Sequence, residues 1–155
     1  MKIEMQVRST TADDLPAIGN VAETTALFPA SMLPDMIAAY LEGGSAEIWL
    51  TGLRGDAVAG FVFCEPERLA NATWNMRAIG VTPDMQGKGV GAMLTQSLER
   101  CLRERQGRLL IVETTSDDDQ IGARAFYAAK GYQHEATIRE FWDVGIHKVV
   151  FWKRL

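Results

Sequence analysis

The chain has 155 residues, 47% of them hydrophobic and 23% charged, which suits one domain with a sizeable core and excludes a disordered chain. Its formal net charge is −4, with Lys and Arg scattered, so it lacks the concentrated positive face of a nucleic-acid binder and no nucleic-acid partner is expected. The two cysteines, Cys64 and Cys101, stand in no paired spacing, so neither a disulfide framework nor a zinc site is indicated.

Residues Met1 to Arg8 alternate loosely and predict a first strand; they hold no signal-peptide core. No apolar run approaches membrane-spanning length, so no membrane is expected and the cytoplasm is the expected compartment. A helix is predicted from about Asp13, with Pro16 in its first turn, where a missing N–H costs least, and with Leu15, Ile18, Val21 and Ala22 at helical spacing. Met32 to Leu41 reads as a second helix ended by Gly43-Gly44. Ala46 to Leu53 and Ala57 to Cys64 read as strands joined by the hairpin turn Arg54-Gly55-Asp56, and Trp74 to Val81 as a further strand.

From Val90 the period becomes helical. Val90, Met93, Leu94, Leu98, Cys101 and Leu102 share one face, with Glu99, Arg100, Arg103 and Glu104 on the other. The apolar run Leu109 to Val112 predicts a strand buried on both faces. A helix from about Gln120 to Lys130 should stop at Gly131, and Tyr132 to Phe141 and Lys148 to Lys153 should close the chain as strands. The order β-α-α-β-β-β-α-β-α-β-β predicts one α/β domain, residues 1–155, around a central mixed sheet.

Gln86-Gly87-Lys88-Gly89-Val90-Gly91-Ala92 follows a strand and opens an amphipathic helix. Glycine lets the backbone turn sharply and bring its N–H groups close to a ligand. The helix start adds free donors and the positive end of a dipole. A pyrophosphate is the natural occupant, with Gln86 and Lys88 at the rim. The P-loop pattern fails, because Lys88 is followed by Gly89 and Thr82 stands five before Gly87. The dinucleotide fingerprint fails on spacing.

The stretch Ile79 to Gly91 resembles the cofactor motif of the GCN5-related N-acetyltransferases (the GNAT family), with Gln86, Gly89 and Gly91 at its core positions. Ala123-Arg124-Ala125-Phe126-Tyr127 followed by Gly131-Tyr132 resembles the family's second motif. The resemblance implies the GNAT fold, a sheet splayed between its fourth and fifth strands and flanked by about four helices. It implies acetyl-CoA as co-substrate, with pantetheine along Ile79-Gly80-Val81 and pyrophosphate on the N–H groups from Gly87 to Ala92. Gln120 falls where many members have a cofactor-contacting asparagine. The C-terminal stretch looks like a bacterial subgroup, but Glu140-Phe141-Trp142 and Gly145-Ile146-His147-Lys148 depart from it in the loop that would line the acceptor side.

Acyl transfer to an amine needs an unprotonated nucleophile, a donor for the developing oxyanion and a proton for the leaving thiolate. Tyr127 resembles the family tyrosine near the cofactor sulfur, and a phenol is protonated at neutral pH. The oxyanion donor should be a backbone N–H near Ile79 to Val81. Glu113, at the end of a buried strand, is the candidate base; the alternatives are that it pairs with a neighbour or orients the amine, and that ordered water removes the proton. Trp142 and His147 are candidate substrate contacts, while His134 reads as an exposed turn residue. Trp49, Trp74 and Trp152 read as core or cross-strand residues. No cluster has metal-ligand spacing, so no metal is expected. The reading is an N-acetyltransferase acting on a primary amine, small-molecule rather than protein-borne, with a homodimer as a compatible assembly. The rival reading is a non-catalytic CoA-binding module of the same fold.

Overall fold

A computed structural model describes residues 3–155. The first strand, β1 (Met5–Ser9), pairs antiparallel with β2 (Ile48–Arg54), which turns at Gly55 into β3 (Ala57–Pro66). The expected strand start at Met1 and Lys2 lies outside the described residues. Strand β4 (Thr73–Val81) is antiparallel to β3, and β5 (Leu109–Thr115) runs parallel to β4. Strand β7 (Ile146–Arg154) inserts between β5 and β6 (Gln133–Asp143), giving the order β1-β2-β3-β4-β5-β7-β6.

The first helix, α1 (Leu15–Thr24), follows a 3₁₀ turn at Ala12–Asp14, and Pro16 sits in its first turn. The Asp14 carboxylate accepts from the Thr11 backbone N–H at 2.9 Å, from the Thr51 hydroxyl at 3.0 Å and from Arg8. Helix α2 (Leu33–Glu42) ends at Gly43, whose φ of +87° suits glycine. Together α1 and α2 cover one face of β2, β3 and β4, burying Ile18, Val21, Ile37, Phe61 and Phe63 around Trp49, which stacks on Phe63 at 4.1 Å. Helices α3 (Val90–Glu104) and α4 (Ile121–Ala129) cover the opposite face, over Trp74, Met76, Leu110, Val112 and Phe151.

Three readings of the sequence are corrected here. Glu99 does not belong to the solvent face of α3. It is buried, because β7 and the chain after α4 bring partners to it: Lys153 Nζ at 2.7 Å and the Tyr132 hydroxyl at 3.2 Å. The run Leu109 to Val112 is covered on one face only. Leu110 and Val112 are buried, whereas Leu109 and Ile111 are half-buried, since α1 and α2 stop at β4. His134 lies within β6 rather than in a turn, and its Nε2 is 2.8 Å from the Thr137 hydroxyl.

The β4–β5 pairing sets up the site. It spans only Thr73–Met76 against Leu109–Val112. Beyond it β4 continues on β3, and β5 continues on β7. The two strands splay, and the edges facing each other keep unpaired backbone groups.

Candidate active site

The splay opens into a cleft of about 800 Å³. At one end lies the glycine loop. After β4 a 3₁₀ turn at Pro83–Met85 buries Met85 against the core, and the Gln86 side-chain amide donates to the Val81 carbonyl at 3.1 Å. Gly87 and Gly89 adopt φ of +77° and +91°, and a Cβ on either would meet no atom within 4 Å. Their need for glycine is therefore one of backbone conformation, and the space beside them is open. Gly89 precedes the first turn of α3, and no side chain caps that helix. The N–H groups of Val90, Gly91 and Ala92 are left as free donors at the positive end of a fifteen-residue helix. At Gly91 a Cβ would touch the Phe126 ring at 3.6 Å, so a large side chain there would enter the space between loop and α4.

Among the residues expected to hold the cofactor, Ile79, Val81, Gln86, Gly87, Gly89, Gly91, Ala92, Gln120 and Tyr127 border the cleft. Three point elsewhere. Gly80 faces α1 and the turn that follows it, where a Cβ would come within 3.0 Å of Val21 and 2.9 Å of Leu27. Val90 buries its side chain in the core, and Lys88 extends into solvent. Their backbone groups remain part of the loop and strand.

Tyr127 is carried by α4 and is 5% exposed. The rings of Phe126, Tyr132 and Phe151 surround its own at 5.5–5.9 Å between centroids. Burial alone pushes its phenol up to about 12, so it is fully protonated at neutral pH.

The far end of the cleft is charged. Glu113 meets Lys148 Nζ at 3.0 Å and Arg77 at 3.7 Å, and the amide of the buried Asn75 lies 3.5 Å away. Arg77 also pairs with Glu65 at 2.8 Å, and Asn75 donates to Glu67 at 2.9 Å. Glu113 is thus one of three carboxylates threaded by two cations, rather than a lone buried carboxylate. Arg77, a cleft residue the sequence reading missed, owes its place to a register shift opposite Phe63 and Cys64. A bulge of that kind leaves no local mark in the sequence.

Trp142 and His147 lie beside this end and do not border the cleft directly. The Trp142 indole N–H donates to the Thr114 carbonyl at 3.2 Å. His147 Nδ1 accepts the Glu140 backbone N–H at 2.9 Å. Among the described residues, no group of three or more His, Cys, Asp or Glu side chains converges as for a metal ion, and no helix is long and apolar enough to cross a membrane.

A parallel strand pair that opens into a cleft, entered at one end by an uncapped glycine-rich helix start, defines an acyl-CoA acyltransferase fold. The model of the acetyltransferase (GNAT) family matches residues 15–132, and the chain belongs to that family. Among solved structures, a GNAT-family protein from Desulfovibrio desulfuricans superposes with a TM-score of 0.91 at 24% identity, covering 97% of this chain and 99% of the other. The ribosomal-protein-S18-alanine N-acetyltransferase of Escherichia coli follows the same fold with a TM-score of 0.79 at 18% identity, over 97% and 94% of the two chains. A Salmonella typhimurium protein, yncA, solved with its cofactor acetyl-CoA, gives 0.80 at 16% identity over 97% and 94%. No curated protein matches the chain significantly.

Proposed function

We propose that this protein transfers the acetyl group of acetyl-CoA to a primary amine by direct attack, with Tyr127 as the proton donor. The observation that carries the reading is the pairing of two features across one cleft: an uncapped helix start with two left-handed glycines, and a buried, protonated tyrosine. The cradle fits a pyrophosphate, because its donors are free and the space beside its glycines is open.

Acetyl-CoA supplies an activated thioester when bound. The free β4 edge from Ile79 to Val81 aligns the pantetheine arm and offers a backbone N–H to the developing oxyanion. Gln120, at the start of α4, adds a polar contact. Tyr127 gives its proton to the sulfur as the C–S bond breaks, and regains one from the new amide nitrogen through water. Glu113, already engaged by Lys148 and Arg77, orients the incoming amine, and ordered water carries its proton away. A small-molecule amine is the first acceptor to try, in preference to a protein amine. The Escherichia coli neighbour, an alanine N-acetyltransferase of a ribosomal protein, makes an N-terminal peptide amine the next acceptor to try.

Calorimetric titration with acetyl-CoA, followed by thiol release over a panel of amines and N-terminal peptides, tests the reading. Release above hydrolysis with at least one amine is expected. Binding without release for every amine would make the protein a CoA-binding module instead.

A further inference from the structure

Strands β6 and β7 fall badly out of step near their turn. Ile138 pairs with Lys148 and Asp143 with Ile146. Residues 139–142 of β6 therefore stand against His147 alone. Such a bulge bends its strand and re-aims side chains. Here Glu140 adopts a φ of +51°, a left-handed conformation that is unfavourable for a non-glycine residue. What holds it is the imidazole of His147, whose Nδ1 accepts the Glu140 N–H at 2.9 Å. The His147 backbone is itself pinned. Its N–H donates to the Ser116 hydroxyl at 2.8 Å, and its carbonyl accepts the Ser116 N–H at 3.0 Å.

The bulge presents Phe141 and Trp142, whose rings meet edge to face at 4.7 Å. Both return to the β5 residues that border the cleft. The Trp142 indole N–H bonds the Thr114 carbonyl, and the Lys148 ammonium, paired with Glu113, lies 4.1 Å from the Phe141 ring centroid. Both rings are nonetheless about half exposed, at 49% and 46%. An aromatic pair with so little burial keeps its place through these few polar ties.

We propose that His147 is a proton-sensitive latch on a Phe141–Trp142 flap beside the acceptor end of the cleft. With Nδ1 unprotonated the imidazole accepts the Glu140 N–H, and the flap is held against Thr114 and Lys148. A proton on Nδ1 replaces that acceptor with a donor, two N–H groups face each other, and the bulge is released. His147 acts through the bulge and is a positioning residue. The charged groups on the elements that meet it are Arg139, Glu140 and Asp143 in the β6 stretch opposite it, its neighbour Lys148 on β7, Glu113 of β5 paired with Lys148, and Asp117 next to Ser116. The latch rests on the acetyl-transfer reading only in what the flap faces.

The test uses the full chain and ¹⁵N NMR from pH 8 to pH 5, the range in which histidines titrate. The indole signal of Trp142, assigned with Trp142→Phe, is followed together with the ring nitrogens of His147. The expected result is that the Trp142 signal shifts or is lost with the midpoint of His147 itself. His147→Asn, whose side-chain oxygen can take the place of Nδ1, should keep the flap signal and abolish its pH response. His147→Ala should show the released signal already at pH 8. A Trp142 signal that ignores the His147 titration overturns the latch. So does a pH response that survives in His147→Asn, or a His147→Ala spectrum that matches wild type. The indole signals of the buried Trp49 and Trp74 report whether a variant has unfolded, and in that case the wild-type titration alone decides. Adding acetyl-CoA and following the amides of Gly87 to Ala92 tests the transfer reading separately, since silence there leaves the latch result intact.

Discussion

The two ends of the cleft are built in opposite ways. The glycine-loop end is one continuous stretch of chain, and it presents backbone N–H donors at a helix start. The charged end is assembled from β4, β5, the β6 bulge and β7, and it presents side chains that hold one another. The first kind of site needs only local conformation to be right. The second depends on strands far apart in sequence meeting in one register.

Variants should separate these two modes. Gly91→Phe has the largest expected effect. It fills the space beside Phe126 and displaces the ligand from two or more charge-assisted hydrogen bonds, so acetyl-CoA affinity should fall about 10³-fold. Unchanged affinity by calorimetry would remove the loop from the site. Tyr127→Phe should leave that affinity at wild-type level and slow turnover by ~10²-fold, the ordinary worth of a general acid. Wild-type turnover would show that Tyr127 only packs.

At the charged end, Glu113→Gln should raise KM for the amine by about tenfold, equivalent to ~1.4 kcal/mol, with acetyl-CoA affinity unchanged. A fall in kcat at constant KM would instead make Glu113 the base and erase the contrast between the two ends. The smallest effect lies away from both. Arg8, together with the Thr11 N–H and the Thr51 hydroxyl, holds the Asp14 carboxyl down to about 2. A carboxyl lowered in the folded state stabilises it above the unfolded value near 4, and that stability is lost as the pH falls toward 2. With Arg8 37% exposed, the contribution is about 1 kcal/mol. Acid unfolding of Asp14→Asn should lack this component between pH 4 and pH 2.

Much of the fold is legible in the sequence because it rests on period and punctuation. The alternation of helices and strands emerges in the expected order, with most bounds shifted by a residue or two; the first strand starts only at Met5, and the strand begun at Leu109 runs three residues past Val112, to Thr115. The glycine loop and Tyr127 are legible for the same reason, since each belongs to a short contiguous pattern. Glu99 is the instructive failure. By helical period it belongs with Arg100 and Arg103, and only the arrival of Lys153 and Tyr132 makes its burial tolerable. Ile111 fails in the opposite sense, as an apolar residue left half-covered where the helices run out.

The sequence by itself determined the family and the glycine-rich, uncapped helix start, because left-handed glycines and free helix N–H groups are properties of neighbours along the chain. Only the tertiary structure decided that Arg77, Glu113 and Lys148 form one network, and that His147 braces a bulge rather than reaching into the cleft. Those outcomes depend on strand register and on where the β4–β5 pairing stops, and side-chain ion pairs over such distances are set by packing rather than by local preference.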